Sequence, residues 1–276
     1  MKLEWSLDEF GYAGEPFGFH FSYEGQFVSL GDDAAFCFYQ TGRLIEIVFD
    51  TNGKVISETE YVPTEKISLP SCWMYAEHNN NRYLLLGDNI GFDVDSKSFI
   101  YNLDSELKAI YFAEFGDEYH LEYDDFVFDD YRIAHESTKK FACYRNSEYL
   151  WALKIQAYLY TNIQRFSDSI AFGTSGHGGH FYIVDLPSGK IKADVNTKGT
   201  SKFLHVDGSF YILSCDKEGK ILKISEEGAV EEELVLSGKF DGMYSPLGLV
   251  NGKIYALSFK KRKGVFYPLI HCIALK

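Results

Sequence analysis

Apolar residues come along this chain in short runs of strand length, each stopped by Asp, Asn, Gly or Pro. The pattern is plainest from 167 to 234, where one unit is written twice. The first copy is SDSIAFGTSGHGGHFYIVDLPSGKIKADV (Ser167 to Val195). The second is VDGSFYILSCDKEGKILKISEEGAVEEEL (Val206 to Leu234). In each, a tight turn at Asp168 or Asp207-Gly208 is followed 21 positions later by another, at Gly189 or Gly228. Two apolar runs lie between the turns. Self-similarity at about 40 residues is the sequence signature of propeller blades.

The same punctuation extends through the chain. First turns fall near 32, 80, 129, 168, 207 and 251, and second turns near 53, 105, 147, 189 and 228. The Asn-Gly and Asp-Gly pairs among them supply the positive φ that two-residue hairpins need. The spacing predicts an all-β chain forming a single six-bladed propeller, with seven blades as the alternative. The blades are placed at about 26–62, 72–115, 118–160, 163–196, 202–236 and 246–275. The last unit holds three strands, and an open edge is a liability. A strand from within 1–22, either Lys2 to Ser6 or Phe17 to Ser22, is therefore expected to complete it. Leu150 to Tyr160 has some helical spacing, but its aromatic content and place in the period predict strand and linker. The basic run Lys260-Lys-Arg-Lys263 is expected in a hairpin loop.

Two segments, Ile47-Val-Phe-Asp-Thr-Asn-Gly-Lys54 and Tyr182-Ile-Val-Asp-Leu-Pro-Ser-Gly-Lys190, resemble the repeat of quinoprotein-like propellers. That repeat runs as strand, Asp, a short turn with Gly, then Lys and another strand. Leu222 to Gly228 and Tyr101 to Asp104 are weaker copies. The resemblance implies the fold. In quinone-dependent members a tryptophan shortly after the Gly-Lys docks neighbouring blades. Here those positions read Ile56-Ser57-Glu58 and Lys192-Ala193-Asp194, so neither quinone binding nor dehydrogenase activity is expected.

Composition agrees with strands: Tyr (20) and Phe (23) are abundant and Pro is scarce (6). Lys and Arg total 27 against 40 Asp and Glu, a net charge of −13. Such a surface repels nucleic acid and anionic lipid and attracts a basic partner. No apolar run is long enough for a membrane helix, and the N-terminus lacks the apolar core of an export signal. The five cysteines (Cys37, Cys72, Cys143, Cys215, Cys272) show no CxxC spacing and read as free thiols in a reducing cytoplasm.

No motif announces catalysis. Gly173 to His180, GTSGHGGH, lacks both the nucleophile-elbow spacing and a Walker Gly-Lys. His177 and His180 have no local carboxylate or Cys to complete a metal site, so this segment reads as a connecting or contact loop. His135-Glu136 begins like a zinc helix, but Lys139 stands where the second His belongs. Asp93 to Ser98 starts like a calcium loop but lacks its Gly and carries Lys97. No cofactor and no metal are expected.

The most unusual stretch is Phe112 to Tyr131, FAEFGDEYHLEYDDFVFDDY, rich in carboxylates and aromatics and without Lys or Arg. Like charges so crowded repel one another, whereas an acidic-aromatic surface suits a basic protein. Glu114, Asp117, Glu118, Tyr119, Glu122, Tyr123, Asp124 and Asp125 are the candidate partner-binding residues. The function predicted is a non-enzymatic, cytoplasmic protein-binding propeller, one concrete form being a toxin-neutralising immunity protein. Two alternatives stand beside it. One is a hydrolase or lyase with a metal in the central cavity. The other is a carbohydrate or small-ligand binder stacking on Trp5, Trp73 or Trp151.

Overall fold

The structure is a computed structural model. It describes residues 1–8, 26–40, 43–61, 72–78, 81–88, 97–102, 109–110, 126–137, 139–156, 158–159, 163–175, 179–198, 203–215, 219–240, 247–263 and 265–275. Among these every regular element is a strand, and no helix is long and apolar enough to cross a membrane. The chain divides into two compact units.

The first unit comprises residues 2–121 and 244–276. It opens with β1 (Lys2–Leu7). One antiparallel sheet then runs in chain order through β2 (Gln26–Leu30), β3 (Asp33–Gln40), β4 (Arg43–Phe49) and β5 (Val55–Tyr61). A second runs through β6 (Cys72–His78), β7 (Asn81–Asp88), β8 (Lys97–Asn102) and β9 (Ala109–Ile110). The second unit is Met1 with residues 122–243. Its first sheet is β10 (Phe126–Phe128), β11 (Tyr131–Ser137), β12 (Lys140–Arg145) and β13 (Glu148–Lys154). Its next is β14 (Tyr158–Leu159), β16 (Ser169–Ser175), β17 (His180–Asp185) and β18 (Ile191–Asn196), with β15 (Gln164–Phe166) also on β16. Its last is β19 (Phe203–Val206), β20 (Ser209–Ser214), β21 (Gly219–Ser225) and β22 (Val230–Leu236). The chain returns to the first unit with β23 (Leu247–Val250), β24 (Lys253–Arg262) and β25 (Val265–Ala274), which form a sheet in the order β1-β25-β24-β23.

The N-terminal strand is thus the fourth strand of the last sheet, with Lys2 opposite Ala274 and Leu7 opposite Ile270. It covers backbone groups of β25 that would otherwise form a bare edge. Ser6 and Ser258 fix it further. Their hydroxyls meet the two ring nitrogens of fully buried His271, at 2.8 Å (Nδ1) and 2.7 Å (Nε2).

Turn chemistry dictates the hairpins. At Asn146-Ser147, Asp207-Gly208 and Asn251-Gly252 both residues have positive φ, the geometry that matches strand twist. The second turns share another device. The Asp50 carboxylate accepts from the amides of Asn52 and Lys54 at 2.8 and 2.9 Å. Asp185 accepts from the Ser188 amide and hydroxyl at 3.1 and 2.5 Å. In the weaker copy the Ser225 hydroxyl takes the carboxylate's place, accepting from Glu227 and Ala229.

One expectation is corrected at the basic run. Lys260, Lys261 and Arg262 are not in a loop. They extend β24, paired with Tyr267, Phe266 and Val265, so the ladder runs three residues beyond Phe259.

The cores sit between sheets. In the first unit Phe27 and Phe36 stack at 4.7 Å, and Trp5, Phe49 and Tyr255 meet at 5.6 to 5.9 Å, joining β1–β25–β24 to the β2–β5 sheet. In the second, Phe141 packs edge-on against Phe172, and Phe181, Phe203 and Phe210 form a second cluster. Middle strands such as β17 and β20 are buried on both faces and read as unbroken apolar runs. Outer strands such as β22 alternate.

Two tryptophans elsewhere in the chain dock neighbouring sheets, a role the sequence reading did not assign to them. Trp5 lies on the turn at Gly53 and donates its Nε1 to Thr51 O at 3.0 Å. Trp151 lies on the turn at Gly189 and donates to Leu186 O at 2.8 Å. A Cβ on either glycine would fall 2.6 to 2.7 Å from the indole. At the third such site, Gly228, the neighbour is Ala193 instead.

Candidate partner-binding surface

The acidic-aromatic stretch ends inside the sheet β10–β13. Its residues 112–125 lie outside the described residues, and with them Glu114, Asp117, Glu118, Tyr119, Glu122, Tyr123, Asp124 and Asp125. Phe126 to Tyr131 are described. Phe126-Val-Phe128 alternates, so it forms a strand with two faces. Asp129 adopts a φ of 51° and turns the chain into β11.

Tyr131, Ile133, Phe141, Cys143, Trp151 and Leu153 form the buried face of this sheet. The opposite face carries a cross-strand row of larger side chains near the turn end: Val127, Arg132, Tyr144 and Tyr149, each directly opposite the next. Val127 is 65% exposed and Tyr149 59%, so the turn end of this face is open, while Ala142 further along the same face is buried. The Arg132 guanidinium carbon lies 4.5 Å above the Tyr144 ring, and Tyr144 meets Tyr149 edge-on at 5.9 Å. Tyr149 therefore offers an open aromatic surface held in place by the rest of the row.

Carboxylates frame the turn end of the sheet. Asp130 accepts from Arg145 Nε at 2.5 Å, and Asp129 pairs with Arg165. The Arg145 bond holds the Asp130 carboxyl below the usual carboxylate range.

The glycine-rich loop is clamped at both ends. Thr174 Oγ1 accepts from the His180 amide at 2.9 Å, and Thr197 Oγ1 donates to Gly179 O at 3.0 Å. His180 opens β17. Its ring is nearly buried, bonded through Nδ1 to Asp194 and stacked on Tyr182 at 5.7 Å. Burial raises the Tyr182 hydroxyl above its ordinary pKa, and Asp194 adds to the effect. Asp194 was invisible as a partner in the sequence. It lies 14 positions away and is brought close because Tyr182 pairs with Asp194 across the β17–β18 ladder. His177 lies outside the described residues. Among the described residues, no group of three or more His, Cys, Asp or Glu is arranged to hold a metal. Trp5 and Trp151 are committed to packing; the side chain of Trp73 lies outside the described residues.

No family model and no curated protein matches the sequence. Among solved structures the chain is similar to the WD40 β-propeller domain of Doa1, at 12% identity and a TM-score of 0.52, over 99% of this chain and 96% of that one. It is also similar to a sialidase of Trypanosoma rangeli (8% identity, TM-score 0.48, 97% and 58% covered). A further match is BamB from Moraxella catarrhalis (12%, 0.39, 90% and 71%). The likeness to the Doa1 domain shows the fold, a β-propeller.

Proposed function

We propose that this chain is a non-enzymatic protein-binding propeller and that its partner is a basic protein. The observation that carries the reading is the exposed row Val127–Arg132–Tyr144–Tyr149, on the sheet into which the acidic-aromatic stretch runs. Aromatic and Arg side chains are the residues that concentrate binding energy at protein interfaces. An open tyrosine ring accepts a Lys or Arg by cation–π attraction, and the carboxylates of 114–125 add long-range attraction. A net charge of −13 biases the encounter toward cationic surfaces.

The six sheets are, in this reading, the blades of one propeller closed by β1. The tryptophan-on-glycine packing supports grouping it with the quinoprotein-like propellers in fold only. The concrete form we favour is an immunity protein that covers the cationic cleft of a toxin in the cytoplasm.

The test is affinity capture at moderate salt with wild-type chain and two variants, Glu122, Asp124 and Asp125→Ser together, and Tyr149→Ala. The reading predicts that a basic protein is retained by the wild type, released by added salt, and lost or much weakened with both variants. Capture of no basic protein, or equal capture by all three, contradicts it.

A further inference from the structure

Charge is segregated along this chain. Residues 1–241 hold 21 Lys and Arg against 40 Asp and Glu, whereas residues 242–276 hold six against none. Those last residues supply β23, β24 and β25. Four of the six cations, Lys260, Lys261, Arg262 and Lys263, are consecutive and stand at the turn end of the β24–β25 hairpin. A chain acidic elsewhere keeps carboxylates out of these three strands altogether, so the balance of −13 conceals a cationic segment.

The hairpin carries these cations past the rest of its sheet. β24 and β25 are ten residues each, the longest of the described strands. β23 pairs with Lys253 to Ala256, and β1 with Ile270 to Ala274. Beyond them Ser258 to Arg262 pair with Val265 to Leu269 as a ribbon of two strands, with no third strand beside it among the described residues. Five residue pairs at strand rise make it about 17 Å long, roughly two Debye lengths at physiological salt. Lys263 turns the chain with a φ of 50°, is exposed, and makes no ion pair among the described residues. Lys260 has Asp8 at 4.0 Å, the outer limit of an ion pair.

The charge of the ribbon selects its ligand. Lysines on a strand edge turn away neutral and basic strands, and they favour an acidic one because opposite charges attract across strands. A nucleic-acid duplex or a bilayer spreads its anionic charge far wider than this ribbon. Either would meet the first 241 residues, where carboxylates exceed cations by 19. A short acidic segment in extended conformation lies along the ribbon alone. Tyr267, opposite Lys260, is of a residue type enriched at protein interfaces. We propose that residues 258–263 are a docking site for an acidic, extended segment of another protein. The site is opposite in sign to the acidic-aromatic surface and uses other residues, so it does not rest on the function proposed above.

Fluorescence anisotropy of a labelled peptide of alternating Glu and Val, titrated with the full chain at low salt, tests this. The wild type is expected to bind the peptide and to release it as salt rises. Changing Lys260, Lys261, Arg262 and Lys263 to Gln together is expected to weaken binding about tenfold or more, the effect of four lost charge pairs. Lys263→Asn alters one exposed turn residue and suits a φ of 50°. It is expected to weaken binding about threefold, and it keeps the test decisive where near-UV circular dichroism shows that the fourfold variant has lost its fold. A wild type that does not bind the peptide overturns the proposal, as does equal binding by the wild type and the folded charge variants. Tighter binding of a DNA duplex, or of vesicles of phosphatidylserine and phosphatidylcholine, overturns it as well and assigns the ribbon to a nucleic acid or a membrane.

Discussion

Trp151 packs against Gly189 and donates its indole N–H to Leu186 O at 2.8 Å. The glycine has a φ of +70°, which L side chains rarely adopt, and a Cβ there would sit 2.6 Å from the ring. Gly189→Ala therefore combines left-handed strain with a clash, about 2–4 kcal/mol. Trp151→Ala opens a cavity and leaves a carbonyl unsatisfied, about 3–5 kcal/mol. Gly252→Ala meets nothing within 4 Å at a φ of +73° and should lose only about 1–2 kcal/mol. Denaturant unfolding of the three variants checks this order, and a Gly252 variant as damaging as Gly189→Ala contradicts it.

His271 joins β1 to the rest of its sheet through two serines. Ser6→Ala and Ser258→Ala each remove a hydrogen bond to a buried ring nitrogen, and each should cost about 1–3 kcal/mol. Deleting residues 1–7 removes Trp5 and Ser6 together and bares the edge of β25. That variant should unfold at lower denaturant than either serine variant and aggregate on standing, as light scattering would detect.

The thiols of Cys143 and Cys272 are wholly buried, and burial pushes each up to about 11. The ordinary thiol ionises at about 9 in the unfolded chain, so in the alkaline range the folded state holds more protons. Stability is then full below about 9 and declines as pH rises toward about 11, by about 2 kcal/mol per thiol. Cys143→Ala should flatten part of that decline. In the native protein at pH 8 both thiols should resist alkylation, and peptide mass spectrometry after a short iodoacetamide pulse reads this directly.

The Asp185 carboxyl is held low by the Ser188 hydroxyl first, with Lys192 contributing. Its stabilisation is present above the ordinary carboxylate range and fades as pH falls through the depressed folded value. Asp185→Asn should lower stability at neutral pH and make the protein less sensitive to acid, a difference that thermal melts at pH 7 and pH 3 resolve.

The turns were the legible part of the sequence. Asp207-Gly208, Asn251-Gly252 and Asp50 to Gly53 announce themselves because only certain residues tolerate those dihedrals, and the all-β character followed from them. The docking role of Trp151 was missed because a tryptophan was sought only after a Gly-Lys pair. Trp151 stands four positions after Ser147 as Ala193 stands four after Gly189, but Asn146-Ser147-Glu148 has no Gly-Lys. Lys260 to Arg262 looked like a loop because charge was weighed above the strand-forming Val265, Phe266 and Tyr267 that pair with them across the ladder. Pairings between sheet neighbours, such as His180 with Asp194, depend on register and leave no local mark. The exposed row required knowing which residues oppose one another across four strands.

Hydrogen–deuterium exchange of the chain with and without its captured basic partner tests the binding surface most directly. Slowed exchange confined to 112–131 and to peptides spanning 144–149 is the predicted result. Protection elsewhere with those segments unchanged would contradict the assignment of this face.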